Sequence, residues 1–323
     1  MSPTAKNIIL IFIGVCTLIL SPFLGDKLRA LYNQKTERGI KELKDKNGLV
    51  IVDYGVKNNI KIGKHYNPTL LAQQGLALYK KDSLTENDIK LFWQIVTKLD
   101  DMVVYDDYQA YIPYTYPFPE YKVEKGWQSG MAQAQAIQLF MRAFRMSDDF
   151  GFIKKCELLL NGFYTPFEYN GFTYSINDSS LWYEEYADQY SSQPKVLNGM
   201  LYTLIGLYDY YQFKGSKKTK ELFDYGYNGV ILNLFKYDAD YGSYYDIHQK
   251  AADKKYHQIH IDLLTIIQSV KEDPEIEKHL RKWKQEIITD DINPIWNKAN
   301  LIAFLILIIG IFLPGRYFLK KLS

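Results

Sequence analysis

Apolar residues are concentrated at both ends of the chain. Ile8 to Leu24 is a run of 17 residues without a charge, and Leu301 to Leu313 is a second apolar stretch. A membrane-spanning helix needs about 20 mostly apolar residues, within a range of about 17–25. The first run reaches that range. The second is flanked by Trp296 and Tyr317, 21 positions apart, a spacing that fits the two interfaces of one bilayer. Gly-Asp-Lys-Leu-Arg follows Leu24 without a small-x-small cleavage site. A retained anchor is therefore predicted over 1–25 and a second span over 299–318. Arg316, Lys320 and Lys321 favour a cytoplasmic C-terminus. Two spans then place the N-terminus on the same side and everything between them outside the cytoplasm. Lys27, Arg29, Lys35 and Arg38 run against that orientation, but long segments translocate largely regardless of charge.

Between the ends the pattern is mostly helical. Residues 26–48 read as a charged helical stalk ending at Asn47-Gly48, and Leu49 to Gly55 as a short strand, so 26–65 is stalk and strands. From Pro68 the period lengthens to that of helices. Ser83-Leu-Thr-Glu reads as a capping box opening a helix whose apolar face is Ile89, Phe92, Trp93 and Val96. Ala132, Ala136, Leu139, Phe140 and Ala143 mark a second helix, and Leu197, Leu201, Leu204, Ile205 and Tyr208 a third. Further helices fit 217–235, 257–270 and 274–288. Residues 102–125 suggest an irregular hairpin, and 160–180 and 237–247 Gly- and Tyr-rich loops. The predicted class is mainly α, with helical hairpins side by side over 66–290 and a few short strands. If the hairpins curve into an α/α toroid, their loops line one open face on which a polymer can lie.

Charge changes little in this picture: 39 Lys+Arg against 37 Asp+Glu gives a net charge of +2, without the basic stripe of a nucleic-acid reader. Two cysteines, Cys16 and Cys156, cannot build a disulfide framework or a four-ligand zinc site. Tyrosine is prominent, at 28 of 323 residues. Its flat apolar ring with a polar tip suits a wet cleft that holds a sugar.

Three segments place tyrosines beside carboxylates or histidines at helix edges: Trp182-Tyr183-Glu184-Glu185-Tyr186, Tyr244-Tyr245-Asp246-Ile247-His248 and Tyr256-His257-Gln258-Ile259-His260. Taken one at a time each has a plain alternative. Paired glutamates usually form a solvated face, and a lone tyrosine is often core. His257 and His260 have helical spacing for a metal, but catalytic zinc generally takes three protein ligands and no third is marked, so no metal site is expected.

Taken together the segments are recognisable. Gly126-Trp-Gln-Ser-Gly-Met-Ala-Gln-Ala-Gln-Ala-Ile resembles the Gly-Trp-x-Ser-x-Met-Ala-Gln-Gly-Gln segment of the glucuronyl C5-epimerases of heparosan and heparan sulfate. Trp182-Tyr-Glu-Glu-Tyr, then Val196-Leu-Asn-Gly-Met-Leu-Tyr-Thr-Leu-Ile-Gly-Leu-Tyr-Asp, resembles the next block of that family. Tyr245-Asp-Ile and Tyr256-His-Gln-Ile-His-Ile resemble the last two. The likeness extends with gaps over roughly 66–288, the family's C-terminal helical domain, and leaves no room for its N-terminal β-rich portion.

The resemblance implies an incomplete α/α toroid that inverts C5 of a glucuronate within a polysaccharide, without a cofactor. It implies Glu185 as the catalytic carboxylate, Tyr256 as the opposing tyrosine, and Tyr186 and Tyr245 as further active-site tyrosines. His257, His260, Lys254 and Lys255 are candidate cations, and Gln133, Gln135 and Asn198 candidate partners for sugar hydroxyls. His248 stands where the family has an arginine, and Ala187 where it usually has a proline. Histidine is a poorer bidentate partner for a carboxylate. The implied partners are a uronic-acid polysaccharide, the lipid bilayer and, because the family commonly dimerises, a second copy. Two other readings stay open: a uronate lyase, which shares the first proton abstraction, and a glycan-binding or assembly protein that has lost turnover.

Overall fold

The computed structural model describes residues 41–240 and 242–292, with positions 24, 302 and 305–309 besides. The chain divides into two units, Gly39–Lys284 and the pair of end segments 1–38 and 285–323. Among the described residues no helix is long and apolar enough to cross a membrane. The spans expected over 1–25 and 299–318 fall almost wholly outside those residues.

Residues 41–48, the described part of the expected helical stalk, are not helical, whereas the strand expected over 49–55 is present. β1 (Lys41–Lys44) pairs antiparallel with β2 (Val50–Asp53), Glu42 opposite Val52, and β2 pairs with β5 (Lys64–His65). The turn between the first two strands explains the departure from a helix. Asp45 Oδ1 accepts from the backbone N–H groups of Asn47 and Leu49, at 2.8 and 2.9 Å, and Gly48 takes the left-handed φ of 88° that glycine tolerates. Charge along β1 hid the strand, because an edge strand exposes most of its side chains. Between β2 and β5, β3 (Val56–Lys57) and β4 (Ile60–Lys61) form a small hairpin.

The helices are α1 (Pro68–Tyr79), α2 (Glu86–Asp100), α3 (Gly130–Ser147), α4 (Gly151–Asn161), α5 (Leu197–Lys214), α6 (Lys217–Asn233), α7 (Lys254–Val270) and α8 (Pro274–Ile292). Packing follows a simple rule. α1 packs on α3, α3 on α5 and α5 on α7, while α2, α4 and α6 each pack on the helix before them. Within Gly39–Lys284 the described helices thus form an inner row of four backed by an outer row. α3 is buried almost all round from Gly130 to Ala143, as a helix flanked on both sides must be. Its alanines permit close approach: a Cβ on Gly206 of α5 would stand 2.8 Å from the Cβ of Ala134.

Two local expectations shift. The capping box of α2 is built by Thr85 and Asp88, two residues beyond Ser83, with Asp88 N–H donating to Thr85 Oγ1 and Thr85 N–H to Asp88 Oδ2, both at 3.1 Å. Ile89 is consequently exposed, and Phe92, Ile95, Val96 and Leu99 form the buried face. The expected loop at 160–180 ends instead in β8 (Thr173–Asn177), which pairs with β9 (Ser180–Tyr183). The expected hairpin within 102–125 is β6 (Val104–Tyr105) paired with β7 (Ala110–Tyr111).

Candidate active site

The first two turns of all four inner helices meet at one cavity of about 350 Å³. α1 contributes Thr69, Leu70 and Gln73, α3 Met131, α5 Asn198 and Tyr202, and α7 Lys255, Tyr256 and Ile259. Three of these helix starts are capped by side chains. Asn67 Oδ1 accepts from Leu70 N–H at 3.2 Å, Ser129 Oγ from Ala132 N–H at 3.3 Å, and Asp253 Oδ1 from Tyr256 N–H at 2.8 Å. Helix N-termini carry partial positive charge, so four converging on one space favour an anion there.

The side walls come from elsewhere. Glu42 and Val52 of the three-stranded sheet, with Tyr54 just past β2, form one, and Tyr114, Tyr116, Phe118 and Trp127 another. These aromatics are locked together. Trp127 stacks on Tyr114 at 3.6 Å, its indole N–H donates to the Tyr116 carbonyl at 2.8 Å, and the Tyr54 and Tyr116 hydroxyls lie 2.5 Å apart. Asn67 Nδ2 donates to the Tyr54 hydroxyl at 2.8 Å, tying sheet, wall and helix start into one network.

Glu184, Glu185 and Tyr186 follow the end of β9 at Tyr183, rather than lying at a helix edge as the sequence suggested. The two neighbouring glutamates meet different surroundings. Glu184 is fully buried; its Oε2 accepts from Lys195 N–H at 3.1 Å and its Oε1 has no partner. Glu185 lines the cavity, and its buried Oε2 likewise has no partner. Burial pushes Glu184 up to about 8 and Glu185 up to about 7, both against partial relief by neighbouring donors and lysines. Glu185 lies directly over α5: a Cβ on Gly199 would stand 2.3 Å from its Oε2 and 2.8 Å from its Cβ.

Tyr186 packs between Phe118 and Trp127, with ring centroids at 5.1 and 5.2 Å. Its place is fixed by Ala187, whose N–H and C=O both bond the backbone of Gln128, at 3.0 and 2.8 Å. A proline at Ala187 would lack that N–H. Tyr245 meets Tyr256 edge to face at 4.8 Å. Burial and nearby acidic groups push Tyr186 and Tyr245 well above the usual phenol range. Tyr256, at the start of α7, rises only to about 12, by burial first and then by the Glu185 charge.

Glu185, Tyr186, Tyr245, Tyr256, Asn198 and Lys255 therefore line one cavity; Gln133, Gln135, His248, His257 and His260 do not. Gln133 is a buried clamp, donating through Nε2 to the Ala110 and Leu159 carbonyls at 2.7 and 2.8 Å. Gln135 is buried in α3 away from the lining. His248 is exposed, with Nε2 bonded to the Ser192 carbonyl at 2.9 Å. His257 and His260 lie on the buried face of α7, against Trp283 of α8, while Tyr256 and Ile259 face the cavity. Ser243 Oγ lies 2.9 and 2.8 Å from their Nδ1 atoms, so it donates to one ring and accepts from the other. Burial lowers both, His260 to about 3, so neither supplies a cation. Tyr54, Tyr114, Tyr202, Asn67 and Glu42 were not singled out by sequence; the Asn67-Pro68 helix-start pair was the available signal for one of them.

The D-glucuronyl C5-epimerase C-terminus family matches residues 106–285. The chain belongs to that family. D-glucuronyl C5-epimerase of Caenorhabditis elegans is 30% identical over 180 residues, 49% of this chain and 28% of that protein. An uncharacterised protein of Methanocaldococcus jannaschii is 27% identical over 175 residues, 53% of this chain and 56% of its own length. The chain thus spans little more than half of one of these relatives and under a third of the other. The crystal structure of PssZ from Listeria monocytogenes aligns over 82% of this chain and 91% of its own, at 13% identity and a TM-score of 0.34, a likeness too slight to bear on fold or activity.

Proposed function

We propose that this protein inverts C5 of glucuronate residues within a polysaccharide. The observation that carries the reading is Glu185, an acid with a buried, unpartnered oxygen, sharing one cavity with Tyr256 under four helix N-termini. The inner and outer helix rows are read as the incomplete α/α toroid of the epimerases. Family membership and the name of the C. elegans relative support the activity. Anchorage of the domain at a membrane belongs to the reading too, on the strength of the apolar runs in the sequence.

The chemistry must overcome a poorly acidic C–H bond beside an ionised carboxylate. In the proposed step the Glu185 carboxylate takes the C5 proton, and the C–H electron pair moves into the uronate carboxylate as an enolate-like dianion. Helix N-termini and the hydroxyls of Tyr186 and Tyr245 offset that charge. The Tyr256 hydroxyl then delivers its proton to the opposite face of C5, leaving a phenolate. Transfer of the proton from the Glu185 acid to that phenolate through solvent resets the site. The directions of the two pKa values suit the roles. At about 7, Glu185 is partly ionised near neutrality and basic enough to work there; at about 12, Tyr256 holds its proton until the intermediate draws it away. Asn198, whose buried Oδ1 lacks a partner, is placed to accept a sugar hydroxyl.

The test is incubation with glucuronate polymers in D2O. Deuterium at C5 of intact chains is the expected result. Glu185→Gln and Tyr256→Phe should each slow that exchange by about 10²–10⁴-fold while the fold survives. Unsaturated, ultraviolet-absorbing chain ends would instead make the protein a lyase, and binding without exchange would make it a glycan-binding module.

A further inference from the structure

Ser243, His257 and His260 are buried together, and none of them lines the cavity. Ser243 Oγ stands 2.9 Å from Nδ1 of His257 and 2.8 Å from Nδ1 of His260. Burial keeps both rings uncharged near pH 7. A neutral imidazole has one N–H and one bare nitrogen, and a hydroxyl has one hydrogen to give. Two bare Nδ1 atoms would set one of them lone pair to lone pair with Oγ. Two Nδ1–H groups would leave the hydroxyl hydrogen without either ring as its acceptor. Both contacts are satisfied when one ring carries its proton on Nδ1 and the other on Nε2.

The three groups join the two strands of chain that carry cavity tyrosines. Ser243 lies two residues before Tyr245, and His257 directly follows Tyr256 in the first turn of α7. The main chain around Tyr245 is tied elsewhere. Ser243 C=O accepts from Ala252 N–H at 2.9 Å, Tyr245 N–H donates to the Lys250 carbonyl at 2.6 Å, and Tyr245 C=O accepts from Leu197 N–H of α5 at 3.1 Å. Those bonds fix the segment on itself and on α5. The Ser243 hydroxyl fixes it on α7, beside the edge-to-face contact of Tyr245 with Tyr256 at 4.8 Å. Trp283 of α8 closes the far side, its ring 5.7 and 6.2 Å from the two imidazoles. Its indole N–H donates at 3.0 Å to Asp238, which pairs with Ser243 across an antiparallel bridge.

We propose that Ser243 is a positioning residue: its hydroxyl, shared by His257 and His260 in opposite tautomers, sets Tyr245 against Tyr256. The consequence for rate rests on the epimerase reading, in which groups that meet developing charge must be fixed beforehand. Without the hydroxyl, two buried ring nitrogens lose their partner at once, and the segment bearing Tyr245 loses its polar hold on α7.

The experiment uses the full chain in detergent, with isotope-labelled histidine and tyrosine. Nitrogen NMR of the imidazoles, assigned through His257→Asn and His260→Asn, should show one of the two rings protonated on Nδ1 and the other on Nε2. Ser243→Ala should change both patterns and move the ring resonances of Tyr245 and Tyr256. In C5 exchange it should lower kcat by about 10- to 100-fold with KM little changed, the scale of a misplacement of up to about 1 Å. Ser243→Cys, whose thiol is a weaker partner, should show the same changes to a smaller degree, and carries the comparison if the alanine variant does not fold. The same tautomer on both rings of the unsubstituted chain, unmoved tyrosine resonances in the variants, or an unchanged kcat in them each overturns the inference. Absence of exchange by the unsubstituted chain would overturn the epimerase reading, while the histidine and tyrosine spectra still decide the clamp.

Discussion

Single atoms decide much of this site. Gly199 is the sharpest case, since a methyl group there would overlap the Glu185 carboxylate. Gly199→Ala should leave α5 intact, because alanine is the better helix former, and yet displace the base. A shift of about 1 Å in a reacting group can cost about 100-fold in rate, so kcat for C5 exchange should fall by about that factor with an unchanged circular dichroism spectrum. The neighbouring carboxyls predict two pH effects. Exchange should rise with pH through about 7 as Glu185 ionises, and a kcat/KM profile without that limb would remove Glu185 as the base. Glu184 titrates at about 8 in the folded chain, above the ordinary glutamate value, so its folded form holds a proton that the unfolded form has lost. Its share of stability is complete below the unfolded pKa and declines until pH passes about 8. Glu184→Gln should therefore flatten the fall in thermal midpoint between pH 5 and 8, on the scale of that shift. Sequence alone told Glu185 from Glu184 through the family likeness. The structural reason, the different surroundings of the two side chains after β9, needed the β8–β9 pairing that the Gly- and Tyr-rich composition of 160–180 concealed.

Elements were legible where apolar residues recur at helical spacing over several turns. The face of α3 from Ala132 to Ala143 and that of α5 from Leu197 to Leu204 follow directly from period. Those of α2 and α7 needed tertiary information. Ile89 looked apolar enough for the core but lies one strip outside it, and the histidines of α7 share a helix with Tyr256 while facing away from it. A spacing of one residue turns a side chain by about 100° on a helix, which separates Tyr256 from His257. Of the three-stranded sheet, β2 was legible at 49–55, but β1 and the pairing were not, because the outer strand reads as a charged helix. The union of the sheet with α1 through Asn67 gives a direct check. Asn67→Ala removes both a helix cap and the bond to the Tyr54 hydroxyl, and should lower stability by about 1–2 kcal/mol in denaturant unfolding. Weaker binding of polymer should accompany it, since the wall residue Tyr54 loses its anchor.

At the scale of the molecule, Gly39–Lys284 is one contact unit whose inner helices pack in sequence order. A fragment of residues 39–292, carrying the sheet and α8 to its described end, should unfold in one cooperative transition with coincident fluorescence and circular dichroism curves. Separate transitions would mean that the sheet is only an appendage. The overall class and the convergence of Glu185, Tyr186, Tyr245 and Tyr256 were within reach of the sequence, because ordered motifs carry them. The cavity's side walls were not, since they come from residues far apart in the chain whose roles emerge only on folding. The matched family stretch begins at residue 106, whereas Glu42, Val52, Tyr54, Asn67, Thr69, Leu70 and Gln73 all precede it. The groups proposed to move protons and the fence beside them therefore occupy different halves of the chain. A chimera that kept everything from residue 106 and borrowed a foreign fence could be steered toward another glycan without touching the inversion step.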